Sequence, residues 1–332
     1  MKAHFQRISV LLVALLAVSG AIVVTTGRAE APEFVGIDLG TFGGMYGEAY
    51  AINNVGQVVG DASLATPARH AFLWENGVKR DLGTLGGDVS TALGINDRGQ
   101  VVGSSSLEGW GTRHACLWDG NRAIDLAPEV ANGSQAYAIN NAGIVAGFYT
   151  TPDYRNHACI WKGGALIDLG LPSDPESMAF GINDRGQVVG FYIREFRTRC
   201  GFLWENGSVT DIGSCVPWGD YAAATGINIR AQIINIRNYG VLPFLWDSGT
   251  TTELSITPYG INDLGTIAGA VLVSGWRYNA ALWTEGAITD LGGALGYGGL
   301  ARAVNIRSEA VGFAWRTASQ YDGQHPYLWR PK

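Results

Sequence analysis

Four histidines occupy the same place in a recurring pattern, four residues before a tryptophan: His70, His114, His157 and His325. Histidine titrates near neutral pH and is the commonest metal ligand, so this spacing invites a metal or proton-transfer hypothesis. A zinc site, however, requires each ligand atom to come within about 2.1 Å of one ion. The alternative is a structural role, in which each histidine makes one hydrogen bond to a loop of its own repeat.

The tryptophan that follows these histidines recurs seven times along the chain. An acidic residue stands seven positions after each of the first six tryptophans, and one further acidic residue of this kind stands near the start of the chain. Such a fixed strand position predicts a repeated hydrogen bond or ion pair to loop backbone, not catalysis. The acids are Asp38, Asp81, Asp125, Asp168, Asp211, Glu253 and Asp290. The tryptophans, which we interpret as core, are Trp74, Trp118, Trp161, Trp204, Trp246, Trp283 and Trp329.

A third landmark is an asparagine that follows Ile or Val: Asn53, Asn96, Asn140, Asn183, Asn228, Asn262 and Asn305. Most steps between equivalents are 43 or 44 residues. Each repeat reads as four short strands, as in the second repeat, where a Gly-containing turn at 97–99 follows the first strand. Four strands per repeat of this length is typical of a propeller blade. A small residue stands two positions before each asparagine, as expected where inner strands converge on an axis.

The two ends of the chain predict how the repeats close. The last repeat stops shortly after Trp329, too early for a fourth strand, whereas residues 34–39 form a fourth strand without a repeat of their own. We therefore predict an all-β fold, a seven-bladed β-propeller of four-stranded blades in which the N-terminal strand completes the C-terminal blade. Closure removes exposed sheet edges. The alternative, an open β-solenoid, would require atypical capping repeats.

This architecture weakens the metal hypothesis. The histidines fall on third strands, away from the axis, so neighbouring copies should stand about 10 Å or more apart, given a strand spacing of about 4.8 Å. Other repeats have Cys200, Leu242 or Asn279 at the same position. We expect neither a metal nor another cofactor.

The segment His70-Ala71-Phe72-Leu73-Trp74, with Ile52-Asn53 and 56–60 before it and 81–87 after it, resembles the bacterial extracellular HAF repeat. The resemblance covers nearly all of residues 34–330 and is clearest in the first four repeats. In the fifth, Asn235 replaces a glycine. The resemblance implies an exported repeat protein and no agreed catalytic chemistry.

Composition and the N-terminus agree with export. The chain has 332 residues, 47 of them Gly, with 47% hydrophobic and only 16% charged residues, which excludes a disordered chain. Residues 1–29 have the basic start, apolar run and small-residue cleavage site of a secretory signal, or form an uncleaved anchor. Residues 30–332 would then be one domain of seven repeats. Removing residues 1–29 would take the formal net charge from −6 to −9, which gives no electrostatic reason to bind nucleic acid or anionic lipid. We expect a monomer.

Binding is predicted on the face that carries the long, variable loops at 61–69, 104–113, 148–156, 191–199, 270–278 and 313–324. These loops are rich in aromatic and Arg residues, which dominate interfaces and can stack on sugar rings. Packing of the same side chains onto the rim is the other interpretation. The candidate ligand-binding residues are Trp110, Tyr149, Tyr154, Arg155, Tyr192, Arg194, Glu195, Arg197, Trp276, Arg277, Tyr278, Trp315 and Arg316.

The step from Asn228 to Asn262 is only 34 residues because the segment from Glu253 to Asn262 is short, which predicts a notch in this loop face near Tyr259, Trp276 and Tyr278. The first functional hypothesis is an exported protein that binds a carbohydrate or another cell-surface macromolecule. The alternative is an extracellular lyase or hydrolase with loop carboxylates such as Glu108, Asp153 and Glu195, although the common hydrolase, metalloprotease and phosphate-loop motifs are absent from the sequence. A third possibility is a structural spacer.

The four cysteines fall into two pairs of different character. Cys116 and Cys159 stand two residues before repeat tryptophans and read as buried thiols. Cys200 and Cys215 flank one hairpin, and in an oxidising compartment a disulfide between them is feasible.

Overall fold

The computed structural model describes residues 33–109, 111–120, 122–172, 176–194, 198–213, 215–216, 222–237, 242–274, 277–292, 298–315 and 323–332. Residues 1–29, and with them the predicted signal, lie outside these ranges. The described residues form strands joined by turns and loops. Within them, no helix is long and apolar enough to cross a membrane.

The strands of the first half are β1 Phe34–Asp38, β2 Gly43–Ile52, β3 Val58–Leu64, β4 Arg69–Glu75, β5 Val78–Asp81, β6 Gly86–Ile95, β7 Val101–Leu107, β8 Arg113–Asp119, β9 Arg122–Asp125, β10 Ser134–Ile139, β11 Val145–Thr150, β12 Asn156–Lys162 and β13 Ala165–Asp168. Successive strands after β1 pair antiparallel in groups of four. We number these groups as units in chain order: β2–β5 are unit one, β6–β9 unit two and β10–β13 unit three.

The second half continues in the same way, with β14 Ser177–Ile182, β15 Val188–Ile193, β16 Arg199–Glu205, β17 Ser208–Asp211, β18 Ala222–Ile227, β19 Ile233–Arg237, β20 Phe244–Asp247, β21 Thr250–Glu253, β22 Thr257–Ile261, β23 Ile267–Ser274, β24 Arg277–Thr284, β25 Ala287–Asp290, β26 Gly299–Val304, β27 Ala310–Trp315 and β28 Gln324–Pro331. Units four, five and six are β14–β17, β18–β21 and β22–β25. Unit seven contains β26–β28.

The fourth strand of unit seven comes from the other end of the chain. Strand β1 pairs antiparallel with β28, with Phe34 opposite Pro331 and Asp38 opposite Tyr327. The pairing satisfies main-chain groups that would otherwise make β28 an exposed edge. In addition, His325 on β28 hydrogen-bonds to the Asp38 carboxylate at 2.9 Å.

The core consists of apolar layers between neighbouring units, where each unit packs one face against the next. Between units one and two, Val59 and Leu73 pack with Val101 and Trp118. Between units seven and one, Leu328 and Val311 pack with Trp74. Five repeat tryptophans are buried in such layers, whereas Trp204 and Trp246 are half-buried. The apolar residues are therefore copied once per repeat because every interface between units needs them.

Candidate functional site

Seven side-chain amides form a circle of hydrogen bonds where the first strands of the units end. Each repeat asparagine donates from Nδ2 to the main-chain oxygen of the equivalent residue in the next unit, at 2.9–3.2 Å. Its Oδ1 accepts main-chain N–H groups of the following turn, as Asn262 does for Leu264 and Thr266. All seven are buried. The recurrence of asparagine at this position therefore has a structural cause, because each asparagine links two units and stabilises the turn of its own unit.

The residues one position after the repeat asparagines form a second circle next to the first. It contributes to a cavity of about 170 Å³. Asp97 accepts hydrogen bonds from both main chain and side chain of Asn54, and Asn141 makes the same pair with Asp184. The carboxylates are therefore engaged in joining units.

Each first strand also carries a β-bulge, at an equivalent place in every unit. The residue left out of register lies three positions before the repeat asparagine, as Tyr50 does between Ala49 and Ala51. A bulge redirects the extra side chain. The seven bulged residues are Tyr50, Leu93, Tyr137, Phe180, Thr225, Tyr259 and Arg302.

These same seven residues line one cavity of about 220 Å³, which we call the axial chamber. It lies on the side of the asparagine circle from which the first strands begin, and so toward the long loops. Aromatic groups dominate the wall: the rings of Tyr137 and Phe180 meet edge to face with centroids 4.9 Å apart. The guanidinium of Arg302 lies 4.5 Å from the ring centre of Tyr259 and also hydrogen-bonds to the buried Glu48. Burial raises the pKa of Tyr259, so this phenol stays protonated and able to donate.

A second cavity of about 310 Å³, which we call the side cavity, shares Tyr50 and Leu93 with the axial chamber. Its polar wall contains Asp61, Arg69, Thr91, Ser104, Arg113 and Gln135. Asp61 is almost fully buried and accepts hydrogen bonds from Arg69 and Thr91. Burial raises the pKa of Asp61 to about 6, because loss of hydration opposes ionisation more than the Arg69 charge favours it.

The histidines are held by the repeat acids. His70, His114 and His157 contact Asp81, Asp125 and Asp168 through Nδ1 at 2.8, 2.8 and 3.1 Å. The other carboxylate oxygen accepts a main-chain N–H two residues on, for example that of Gly83 from Asp81. The histidine partner is thus the acid of the adjacent strand and not a loop as we expected, while the acids do bond loop backbone.

The candidate loop residues that the structure describes differ in burial and in the partners they contact. Tyr149 donates to Asp168, and Arg194 pairs with Asp211 at 3.1 Å. Tyr192 is 1% exposed and packs on Phe202, whereas Tyr154 is 78% exposed. The remaining described candidates are exposed Arg155, Arg277 and Tyr278 and half-buried Trp315, which packs edge to face on Phe313. Trp110, Glu195, Arg197, Trp276 and Arg316 lie outside the described residues.

None of these described candidates lines the axial chamber, although Tyr259, assigned to the notch, does. Glu108 and Asp153, the carboxylates suggested for catalysis, are exposed. Sequence reasoning missed the other six chamber residues. Their signal was present, since each varied residue stands between small ones, as in Ala136-Tyr137-Ala138 and Ala301-Arg302-Ala303.

The cysteines separate into one bridge and two thiols. Cys200 and Cys215 form a disulfide, with Cα atoms 4.0 Å apart. Asp211 lies close to both sulfurs, but disulfide sulfurs are not available as thiolate metal ligands. Cys116 and Cys159 are free and buried, and burial raises the pKa of both thiols.

No protein-family model and no curated protein matches this chain. Among solved structures it is similar to the β-propeller domain of the trilobed protease from Pyrococcus furiosus, with a TM-score of 0.58 and 10% identity over 86% of this chain and 95% of the other. It is also similar to an acylaminoacyl peptidase from Pyrococcus horikoshii, with a TM-score of 0.54 and 14% identity over 86% of this chain and 51% of the other.

A puromycin-hydrolyzing peptidase from Mycobacterium tuberculosis matches with a TM-score of 0.52 and 12% identity over 82% of this chain and 50% of the other. This chain therefore spans about half the length of the two peptidases. At such low identity the likeness concerns the fold alone. Together with the strand pairing, it identifies this chain as an all-β protein with a propeller fold.

Proposed function

We propose that this protein is an exported binding protein whose axial chamber receives a sugar ring of a carbohydrate ligand. The observation that carries the proposal is the convergence of seven bulged residues on one cavity. The scaffold around them repeats, yet the seven side chains differ in type. A scaffold that is constant and a lining that varies are the usual arrangement of a binding site.

The chemistry of the lining favours a sugar. Three tyrosines and Phe180 supply flat apolar faces, and the tyrosine hydroxyls and Arg302 supply hydrogen-bond donors at their edges. A pyranose presents the complementary surface, with apolar C–H faces and a rim of hydroxyl groups. In this proposal, the rest of a polysaccharide or of another glycosylated macromolecule extends from the chamber toward the long loops.

The architecture we propose is a closed ring of seven blades, with the numbered units as blades. Two observations support closure. Strand β1 pairs with β28 along its five residues, and Asn305 bonds to Asn53, which links unit seven to unit one. Export is supported by the Cys200–Cys215 disulfide, because disulfides persist mainly in oxidising compartments. The predicted signal at residues 1–29 and the resemblance to the extracellular HAF repeat agree with this proposal.

A glycan array with the protein beginning at residue 33, followed by titration of each hit, tests the function. Tyr137→Ala and Tyr259→Ala remove stacking surfaces from the chamber and should each weaken binding about tenfold. Tyr154→Ala is the matched control, since this tyrosine stands exposed on a loop. Full affinity in both chamber variants, or a loss confined to Tyr154→Ala, would place the ligand on the loops and contradict the proposal.

A hydrolase or lyase is the second candidate, and the raised pKa of Asp61 favours it. A carboxyl with a pKa of about 6 can hold and release a proton near neutral pH, and Tyr50 and Arg69 stand beside it. Incubating each array hit with the protein and measuring new reducing ends or unsaturated products decides between the two. Turnover that disappears in Asp61→Asn would make this protein an enzyme, and binding without product would leave it a binding protein.

A further inference from the structure

The lining of the side cavity contains two arginines and one aspartate, although the chain as a whole has a net negative charge. Arg69 uses its Nη2 on Asp61, so these two charges offset each other. Arg113, from the start of β8, lines the same cavity, and its guanidinium makes no ion pair or hydrogen bond with another residue that the structure describes. Arg113 is exposed, and its guanidinium adds a positive charge to the cavity lining without a carboxylate partner among the described residues.

The other charged groups nearby do not cancel this charge. The charge of Glu48 also raises the pKa of Asp61, and Glu48 is bonded to Arg302. Burial raises the pKa of Tyr50, with the charges of Asp61 and Glu48 adding to the effect. Tyr50 therefore remains a neutral donor. The lining thus offers guanidinium and hydroxyl donors, with Gln135 and Ser104 adding neutral polar groups.

A guanidinium binds a carboxylate through two parallel N–H···O contacts, the geometry for which Arg is better suited than Lys. Because Tyr50 and Leu93 line both cavities, the side cavity is next to a ring that occupies the axial chamber. We propose that the side cavity is a subsite for the carboxylate of an acidic sugar, so that the carbohydrate recognised is of the uronate class. This inference rests on the function proposed above.

Protonation of Asp61 tunes the subsite. Its neighbours are Arg69 on β4, Thr91 on β6, and Glu48 and Tyr50 on β2. When Asp61 is ionised, its negative charge opposes an incoming carboxylate; when it takes up a proton, that opposition disappears. Uronate affinity therefore rises as pH falls through about 6, the pKa of Asp61. A neutral sugar gains nothing from the same change.

The experiment measures binding of trigalacturonate, its methyl ester and the neutral trisaccharide galactotriose by titration calorimetry at pH 7.5 and pH 5.5. The ester keeps the rings and removes the charge. Trigalacturonate should bind about tenfold or more tightly than the ester, and Arg113→Gln should abolish that preference. Arg185→Gln removes the same charge at an exposed turn at the other end of the units and serves as the control. Asp61→Asn should bind trigalacturonate equally well at both pH values.

Each outcome separates the subsite from the chamber. If trigalacturonate and its methyl ester bind with equal affinity and Tyr259→Ala weakens the binding of both, the axial chamber binds the sugar but the proposed uronate subsite is wrong. If the preference for the acid survives in Arg113→Gln, the carboxylate lies elsewhere and the inference is overturned. If no sugar binds and Tyr259→Ala changes nothing on the array, the proposed function itself fails and the subsite falls with it.

Discussion

Asn305 donates from its side-chain amide to the main-chain oxygen of Asn53 across 3.2 Å, although 252 residues separate them. The other six repeat asparagines make the same bond to the next unit, so the bond between Asn305 and Asn53 returns the series to its first member. Each amide is buried, and a buried amide without a partner would be costly. The circle therefore constrains the spacing of all units at once, which fixes the width of the axial chamber beside it.

Asn262→Ala should destabilise the protein by about 2–4 kcal/mol, because it removes the donor to Asn305 and the acceptor for two main-chain N–H groups. Chemical unfolding monitored by tryptophan fluorescence measures the loss. Asn141→Ala is the control, since Asn141 makes hydrogen bonds of the same kind from an exposed position. Equal effects of the two substitutions would contradict a special role for the buried circle.

Deleting residues 34–38 should lower the free energy of unfolding by on the order of 3 kcal/mol or more, because β28 loses its partner strand and His325 loses Asp38. The comparison is with a chain that begins at residue 33. Limited proteolysis of both proteins adds a second readout, with early cleavage expected near β28 only in the deletion. Identical unfolding curves would refute completion of unit seven by β1.

Reducing the Cys200–Cys215 disulfide should cost about 3 kcal/mol, since the bridge closes a loop with a sequence separation of 15. The Cys200→Ser/Cys215→Ser protein should unfold at the lower stability with or without reductant, whereas the wild type should reach it only in reductant. Cys116 and Cys159 should react with a thiol reagent only after unfolding, because both are buried. A wild-type stability that ignores reductant would show that the bridge contributes nothing.

Asp61 should make stability depend on pH in the sense opposite to a typical salt-bridged acid. Its pKa is raised from 3.8 to about 6, so between these values the folded state holds more protons than the unfolded chain. Stability contributed by this group therefore falls as pH rises, by about 3 kcal/mol in total. The free energy of unfolding of Asp61→Asn, which does not titrate, should lack this decline.

The measurement is the difference in unfolding free energy between wild type and Asp61→Asn at several pH values from about 4 to about 7. Asp88→Asn, a substitution at an exposed aspartate, supplies the matched profile. A constant difference between wild type and Asp61→Asn over this range would mean that Asp61 is ionised throughout and pairs fully with Arg69.

Asn235→Ala should stabilise the protein by about 1–2 kcal/mol. Asn235 is fully buried, and both polar atoms of its side chain lack a hydrogen-bond partner among the residues that the structure describes. Removing an unsatisfied buried amide recovers its lost hydration free energy, partly offset by the smaller side chain. Thermal unfolding compares this variant with Asn183→Ala, which should melt lower because Asn183 is fully bonded. A fall in melting temperature for Asn235→Ala would show that its packing outweighs the missing hydrogen bonds.

Most of the fold could be predicted from the sequence because the same pattern of strands and turns occurs in every repeat. The spacing from Trp74 to Asp81 recurs in the first six units, and the turn after Asn53 has a counterpart in every unit, so a misreading of one repeat is corrected by the other copies. The pairing of residues 34–38 with β28 was also predictable, since each end of the chain lacked what the other had. The site was less accessible. Trp315 and Tyr192 were selected for aromatic character, yet the structure places them in packing contacts.

The sequence alone determined the number of strands per repeat, the turns between them and the residues that fill each interface, because these depend on local spacing and on side-chain hydrophobicity. Only the tertiary structure decided which variable residues meet. Tyr50 and Arg302 stand 252 positions apart in the chain, and no local rule relates them. They share one chamber because a bulge in each first strand redirects one side chain, and because the asparagine circle holds all first strands at a common distance from the axis.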